Sequence, residues 1–254
     1  MTRSSTKSPP KNPRGRPRDE ALHERRRGEI LEKAVDVFAK HGYPNTDVQF
    51  IADPLGISKG TVYRYFESKE QLFLEAVAWG VDQLEQHMDR AIKHIEDPLE
   101  MMAAAVRAYL EFFRSRPALV EMLIQERAEF RGRKKPVYFE RRDVKECPWR
   151  LRIEALISAG RVRKMPVERV LDVMGDLLYG TMFTNHMTGR NKPYEEQAQN
   201  ILDVVFSGIL TDEERHRRAR LIGHGAAGNG QNGKTKNVNG GRSPAMGSRR
   251  PRTA

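Results

Sequence analysis

Cysteine is nearly missing from this chain: Cys147 is the only one in 254 residues. An intrachain disulfide is therefore excluded, as is a zinc site built on paired thiolates. Aromatic residues make up only 7%, and no run reaches the ~18 consecutive apolar residues of a membrane span. The N-terminal stretch is charged and lacks the apolar core of a secretory signal. Enzyme signatures are missing too, with no nucleophile elbow, P-loop or Gly-rich dinucleotide fingerprint following a strand. Cys147 stands beside Pro148 and Trp149 without an evident base, and His87 and His94 have no nearby carboxylate or thiolate partners for a metal. The expectation is a cytoplasmic protein with no catalytic residue, cofactor, metal or membrane contact.

Positive charge is what the chain has in excess, with a formal net charge of +11. Residues 1–27 carry +6 and residues 211–254 carry +7, which leaves 28–210 at −2. Basic ends on a nearly neutral middle point to a polyanionic partner. Both ends are rich in Pro, Ser, Gly, Asn and basic residues and have no apolar period, so 1–21 is expected to be a disordered arm and 211–254 a disordered tail.

Between the ends no segment sustains the two-residue alternation of a strand, and nearly everything has helical periodicity. The fold class expected is all-α. A first helix is expected over 22–41, stopped by Gly42, and a second over 47–53, opened by a capping box at Thr46-Asp47-Val48-Gln49. Ser58 caps a short third helix to Phe66, and Ser68-Lys69-Glu70-Gln71 opens a long fourth. Further helices fit 98–115, 117–132, 147–160, 166–188 and 194–210.

Two short helices joined through Pro54-Leu55-Gly56-Ile57 form a helix-turn-helix signal over 47–66. Gly56 suits a turn with positive φ, and Pro54 should end the second helix early. In the third helix Val62 and Phe66 face inward. That turns Gly60, Thr61, Tyr63 and Arg64 outward, with Lys59 at the N-terminal end and Tyr65 at the margin. Hydroxyls, cations and a glycine for close approach suit a helix entering a major groove.

Residues 28–77 resemble the DNA-binding domain of the tetracycline-repressor (TetR) family. The resemblance runs through Phe38-Ala39-x-x-Gly42-Tyr43, Ile51-Ala52, Gly56-Ile57-Ser58-Lys59-Gly60-Thr61-Val62-Tyr63-Arg64-Tyr65-Phe66 and Ser68-Lys69-Glu70-x-Leu72. It implies a DNA-binding domain over 22–84 and a helical effector-binding and dimerisation domain over 85–210. It further implies a homodimeric repressor on a partly palindromic double-stranded DNA operator, released by an apolar small-molecule effector. Lys59, Gly60, Thr61, Tyr63 and Tyr65 fall on family positions that touch DNA, and Thr46 and Lys69 on positions that meet phosphate. Pro54 and Leu55 depart from the family's usual residues there. An architectural DNA-binding protein without effector control is the alternative.

Upstream, Arg14, Gly15, Arg16, Pro17 and Arg18 resemble an AT-hook core, an extended peptide for narrow A·T minor grooves. In 85–210 no motif is as strong. Met101, Met102, Tyr109, Phe112, Phe113, Met122, Phe130, Tyr138, Trp149, Met174, Tyr179, Met182 and Phe183 are candidates to line an effector pocket, with Asn185 and His186 as possible polar groups. The effector residues themselves are not identified. Helices 166–188 and 194–210, the latter through Ile201, Leu202, Val205, Phe206 and Ile209, are expected to form a four-helix interface between two copies.

Overall fold

A computed structural model describes the backbone of residues 16–144 and 148–227; Arg14, Gly15 and Cys147 lie outside the described residues. The regular elements among the described residues are helices, with one isolated bridge between Val162 and Leu210. Helix α1, Arg16–His41, starts six residues before the expected Leu22. Pro17 is tolerated in its first turn, where an amide has no intrahelical partner. Arg16, Pro17 and Arg18 thus have helical backbone, not the extended form expected of a minor-groove arm. Gly42 ends the helix at φ 78°, its amide donating to the Phe38 carbonyl.

The capping box expected at Thr46 does not form. The Thr46 hydroxyl donates back to the Gly42 carbonyl at 2.7 Å, and Asp47 Oδ1 accepts the Gln49 amide at 2.8 Å. Helix α2 is therefore only Gln49–Ala52, followed by a 3-10 turn over Asp53–Leu55 that contains Pro54. Gly56 closes the turn in the left-handed region, at φ 63°. Helix α3, Lys59–Tyr65, is capped by Ser58, whose Oγ accepts the Thr61 amide at 3.1 Å. Ser68 likewise caps α4, Lys69–Ile92, while Gln71 Oε1 accepts from Glu67 N, one residue before the cap.

At 24 residues α4 is roughly 36 Å long. It packs on α1 and on α5, Pro98–Ser115, and it approaches α6, Pro117–Glu129. A Cβ at Gly80 would collide with the Leu119 side chain, so glycine here permits the α4–α6 crossing. The remaining helices are α7, Val137–Val144; α8, Pro148–Ser158; α9, Val167–Thr188; and α10, Tyr194–Ile209. The expected boundary at 84/85 falls inside α4, and residues through Thr211 form one compact unit. The reason is that α4 belongs to both halves and α6 packs on α1.

Two expectations about the C-terminal region change. Residues 212–227 form helix α11, Asp212–Ala227, in a second unit, where a disordered tail was expected. Asp212, Glu213 and Glu214 at its start favour the helix dipole, and Arg215 pairs with Asp212 one turn on. On α10, Leu202, Val205 and Phe206 are buried in the chain's own core, so they are unavailable to a second copy. On these two helices the large apolar side chains left exposed are instead Val173, Leu177 and Met187 of α9 and Val204 of α10.

Candidate nucleic-acid interface and internal cavity

The exposed face of α3 is set by its buried one. Val62 and Phe66 are fully buried, with Arg27 of α1 lying 5.4 Å over the Phe66 ring, and this fixes the helix on the α1–α4 pair. Lys59, Gly60, Thr61, Tyr63 and Arg64 then lie on or beside the open face. A Cβ at Gly60 would meet only Ser58 Oγ at an ordinary 3.7 Å, so the fold itself does not require glycine there. The position suits a surface that must come close to something outside the chain. Tyr63 is 38% exposed, and the Thr61 hydroxyl lies 3.0 Å from Ser58 Oγ.

Lys59 is paired. Its ammonium donates to Asp47 Oδ1 at 2.7 Å, which holds the lysine above its usual range. The Asp47 carboxyl is held below its own, first by the Gln49 amide and then by Lys59. Asp47 thus aims Lys59 across the front of the helix-turn-helix, a role not foreseen in the sequence because the two residues are twelve apart. Tyr65 is also engaged: its ring stacks on His23 of α1, centroids 4.5 Å apart. The start of α1 therefore lies beside the end of α3.

The two residues expected to meet phosphate have internal partners. Thr46 is 3% exposed, its hydroxyl committed to Gly42. Lys69 Nζ donates to the carbonyls of Tyr43, Pro44 and Thr46 at 2.9, 3.2 and 3.2 Å and sits 4.7 Å over the Tyr43 ring. Its ammonium locks the loop between α1 and α2 onto the start of α4. The spacing of Lys69 from that loop, over twenty residues, hid this role in the sequence.

Further along α4 a cavity of about 800 Å³ opens between α4, α5, α7, α8 and α9. Of the candidates, Met102, Tyr109, Tyr138, Trp149 and Met174 line it. Phe112, Phe113 and Met122 are buried core instead, and Phe130 packs against Tyr43 and Phe73. Tyr109 and Tyr138 hold their hydroxyls 3.2 Å apart at the inner wall. Leu84, Met88 and Ile92 were missed as lining; their spacing of four on α4 is the signal that continues the apolar stripe. Asn185 and His186 lie elsewhere, bonded to Gln197 at 2.6 Å and Glu121 at 3.2 Å. His87 pairs with Glu111 at 3.3 Å, and no group of three metal-ligating side chains occurs among the described residues. No described helix is long and apolar enough to cross a membrane.

A short capped helix with a polar open face, packed with one long helix that runs on to an apolar cavity, is a helix-turn-helix unit joined to a helical domain. Residues 30–76 match the family model for bacterial regulatory proteins of the tetR family. The transcriptional activator FasR of Mycolicibacterium smegmatis is 37% identical over 96 residues, 38% of this chain and 42% of that protein. The transcriptional repressor KstR2 of Mycobacterium tuberculosis is 31% identical over 118 residues, 46% and 59% of the two chains. The chain thus spans two-fifths to three-fifths of these relatives. A solved structure of the ketosteroid regulator KstR2 of Mycobacterium tuberculosis superposes with a TM-score of 0.54 at 26% identity, over 74% of this chain and 96% of that one. Bacillus subtilis FadR, solved with stearoyl-CoA, has the same fold, with a TM-score of 0.60 at 20% identity over 71% and 98% of the chains. Residues 30–76 are thus similar to the DNA-binding region of the tetR family, and three quarters of the chain shares the fold of a solved ketosteroid regulator.

Proposed function

We propose that the protein is a homodimeric, sequence-specific repressor that leaves its operator when a small molecule fills the cavity. The observation that carries this reading is α4. Its first residue, Lys69, locks the loop that leads into α2, and its later turns, from Val81 to Ile92, form a wall of the cavity. A ligand that moves this wall moves the helix on which the DNA-reading unit is seated. Relatives named as repressor and as activator both occur; the repressor KstR2 matches over the greater length and supports the choice of output.

In the proposed complex Lys59 and Thr61 read base edges and Tyr63 and Arg64 hold the backbone, while Gly60 allows the approach. Arg16 and Arg18, at the head of α1, add salt-dependent affinity. The test is selection of bound sequences from random DNA, followed by footprinting. A short, partly palindromic site is expected, and Thr61→Ala should cost roughly 1–3 kcal/mol there and relax preference at particular base pairs. Uniform protection without sequence preference, or unchanged preference in folded Thr61→Ala and Lys59→Ala dimers, would refute the reading.

A further inference from the structure

Lys59 does not stand alone on the open face, and its partner limits what it can read, an inference that rests on the DNA-reading role proposed above. Asp47 lies twelve residues earlier, yet its Oδ1 accepts both the Lys59 ammonium at 2.7 Å and the Gln49 amide at 2.8 Å. The Lys59 and Asp47 side chains are 43% and 49% exposed, so the pair is open to whatever approaches the start of α3. A lysine ammonium has three N–H donors, and Asp47 takes one of them. The others have no partner among the described residues, and neither has Asp47 Oδ2. The pair therefore presents two donors beside one acceptor.

A phosphate offers acceptors only: it suits Lys59 but meets the Asp47 carboxylate as a like charge. Trading Asp47 for a phosphate would also leave that carboxylate uncompensated beside a polyanion. A G·C pair offers a different pattern in the major groove, the guanine N7 and O6 acceptors followed by the cytosine N4 donor. An A·T pair has its donor between two acceptors and does not match. We propose that Asp47 is a specificity-determining residue that reads one G·C pair jointly with Lys59. The ammonium donates to guanine N7 and O6 while Asp47 Oδ2 accepts from cytosine N4, and the same ion pair withholds Lys59 from phosphates of unrelated sequence.

The test is site selection from random DNA with the full chain, then affinities over a salt series, for wild type, Lys59→Met, Asp47→Asn and Asp47→Ser. Asparagine and serine can both still accept the Gln49 amide, so the turn into α2 is kept, which matching circular dichroism and urea midpoints verify. Wild type should select a G·C pair at one position of each half-site. Lys59→Met and Asp47→Asn should each lower preference at that position about tenfold and leave other positions alone. Combining them should lose no more than Lys59→Met alone, because the two side chains read as one unit. Asp47→Asn and Asp47→Ser should also bind random DNA more tightly, with a salt slope steeper by about one, as the released ammonium takes a phosphate. If both Asp47 variants keep the G·C preference, or alter preference equally at every position, the joint reading is overturned while the regulator reading stands. Weaker binding of both variants to random DNA overturns it as well, since Asp47 would then be aiding phosphate contact. A wild type that selects no sequence removes both readings.

Discussion

Lys69 illustrates how a side chain's partners decide between two roles that one sequence position allows. An ammonium that neutralises a phosphate must be open to solvent, whereas this one is taken up by three carbonyls and a tyrosine face. Replacing it by methionine keeps the aliphatic stem and removes only the charge and its donors. Hydrogen bonds to charged groups are worth more than neutral ones, so Lys69→Met should destabilise the fold by roughly 1–3 kcal/mol, read as a lower urea midpoint. The salt dependence of DNA binding should be unchanged. A phosphate ligand would behave the opposite way, leaving stability intact and lowering the salt slope by about one.

Among the elements, α6 joins the two halves through adjacent residues. Gln125 donates to the Phe38 carbonyl and accepts the Tyr43 amide, both at 3.1 Å, and so holds the end of α1. Glu126, 1% exposed, accepts the Val137 amide at 2.8 Å and so holds the start of α7, which carries Tyr138 into the cavity wall. Burial pushes the Glu126 carboxyl up, and the Val137 amide and Arg133 only partly offset it. The folded chain therefore holds this proton more tightly than the unfolded one. Stability should rise as pH falls from neutral through the folded-state value, and stop rising below the ordinary glutamate value. Glu126→Gln keeps the acceptor and loses the titration, so wild type should gain on the variant in urea midpoints taken from pH 7.5 down to 4.5. A difference that does not change with pH would remove the assignment. None of this was legible in the sequence, where Glu126 reads as one more charge on a helix and α7 lies in a charged stretch interrupted by Pro136. The helix-turn-helix was legible because its information is local: the Ser58 cap, Gly56 in the left-handed turn, and Val62 and Phe66 four apart. What escaped, Asp47 on Lys59, Lys69 on the loop and Gln125 on α1, depends on pairs that only the tertiary fold brings together.

At the scale of the whole molecule, the apolar residues left uncovered bear on the proposed homodimer. Val173, Leu177 and Met187 follow one face of α9, with Gly180 and Thr184 exposed between them, and Val204 of α10 is 73% exposed. Apolar side chains at helical spacing, left in water on two consecutive helices, fit burial against the same faces of a second copy about a two-fold axis. The interface proposed here differs from the one the sequence suggested, because Leu202, Val205 and Phe206 already serve the chain's own core. Wild type should scatter light with twice the 29.1 kDa chain mass. Combined Leu177→Glu and Val204→Glu substitutions place four carboxylates in the shared interface while disturbing nothing buried within a chain. They should give a folded monomer, with helicity by circular dichroism matching wild type. Two recognition helices on one dimer reach their half-sites as one event, an advantage of roughly 10²–10⁴ over separate binding. The monomer should lose a factor of that size on a full operator and none on an isolated half-site. A dimer that survives both substitutions would move the interface off these helices. A monomer that binds the full operator as tightly as wild type would show that dimerisation contributes nothing to recognition.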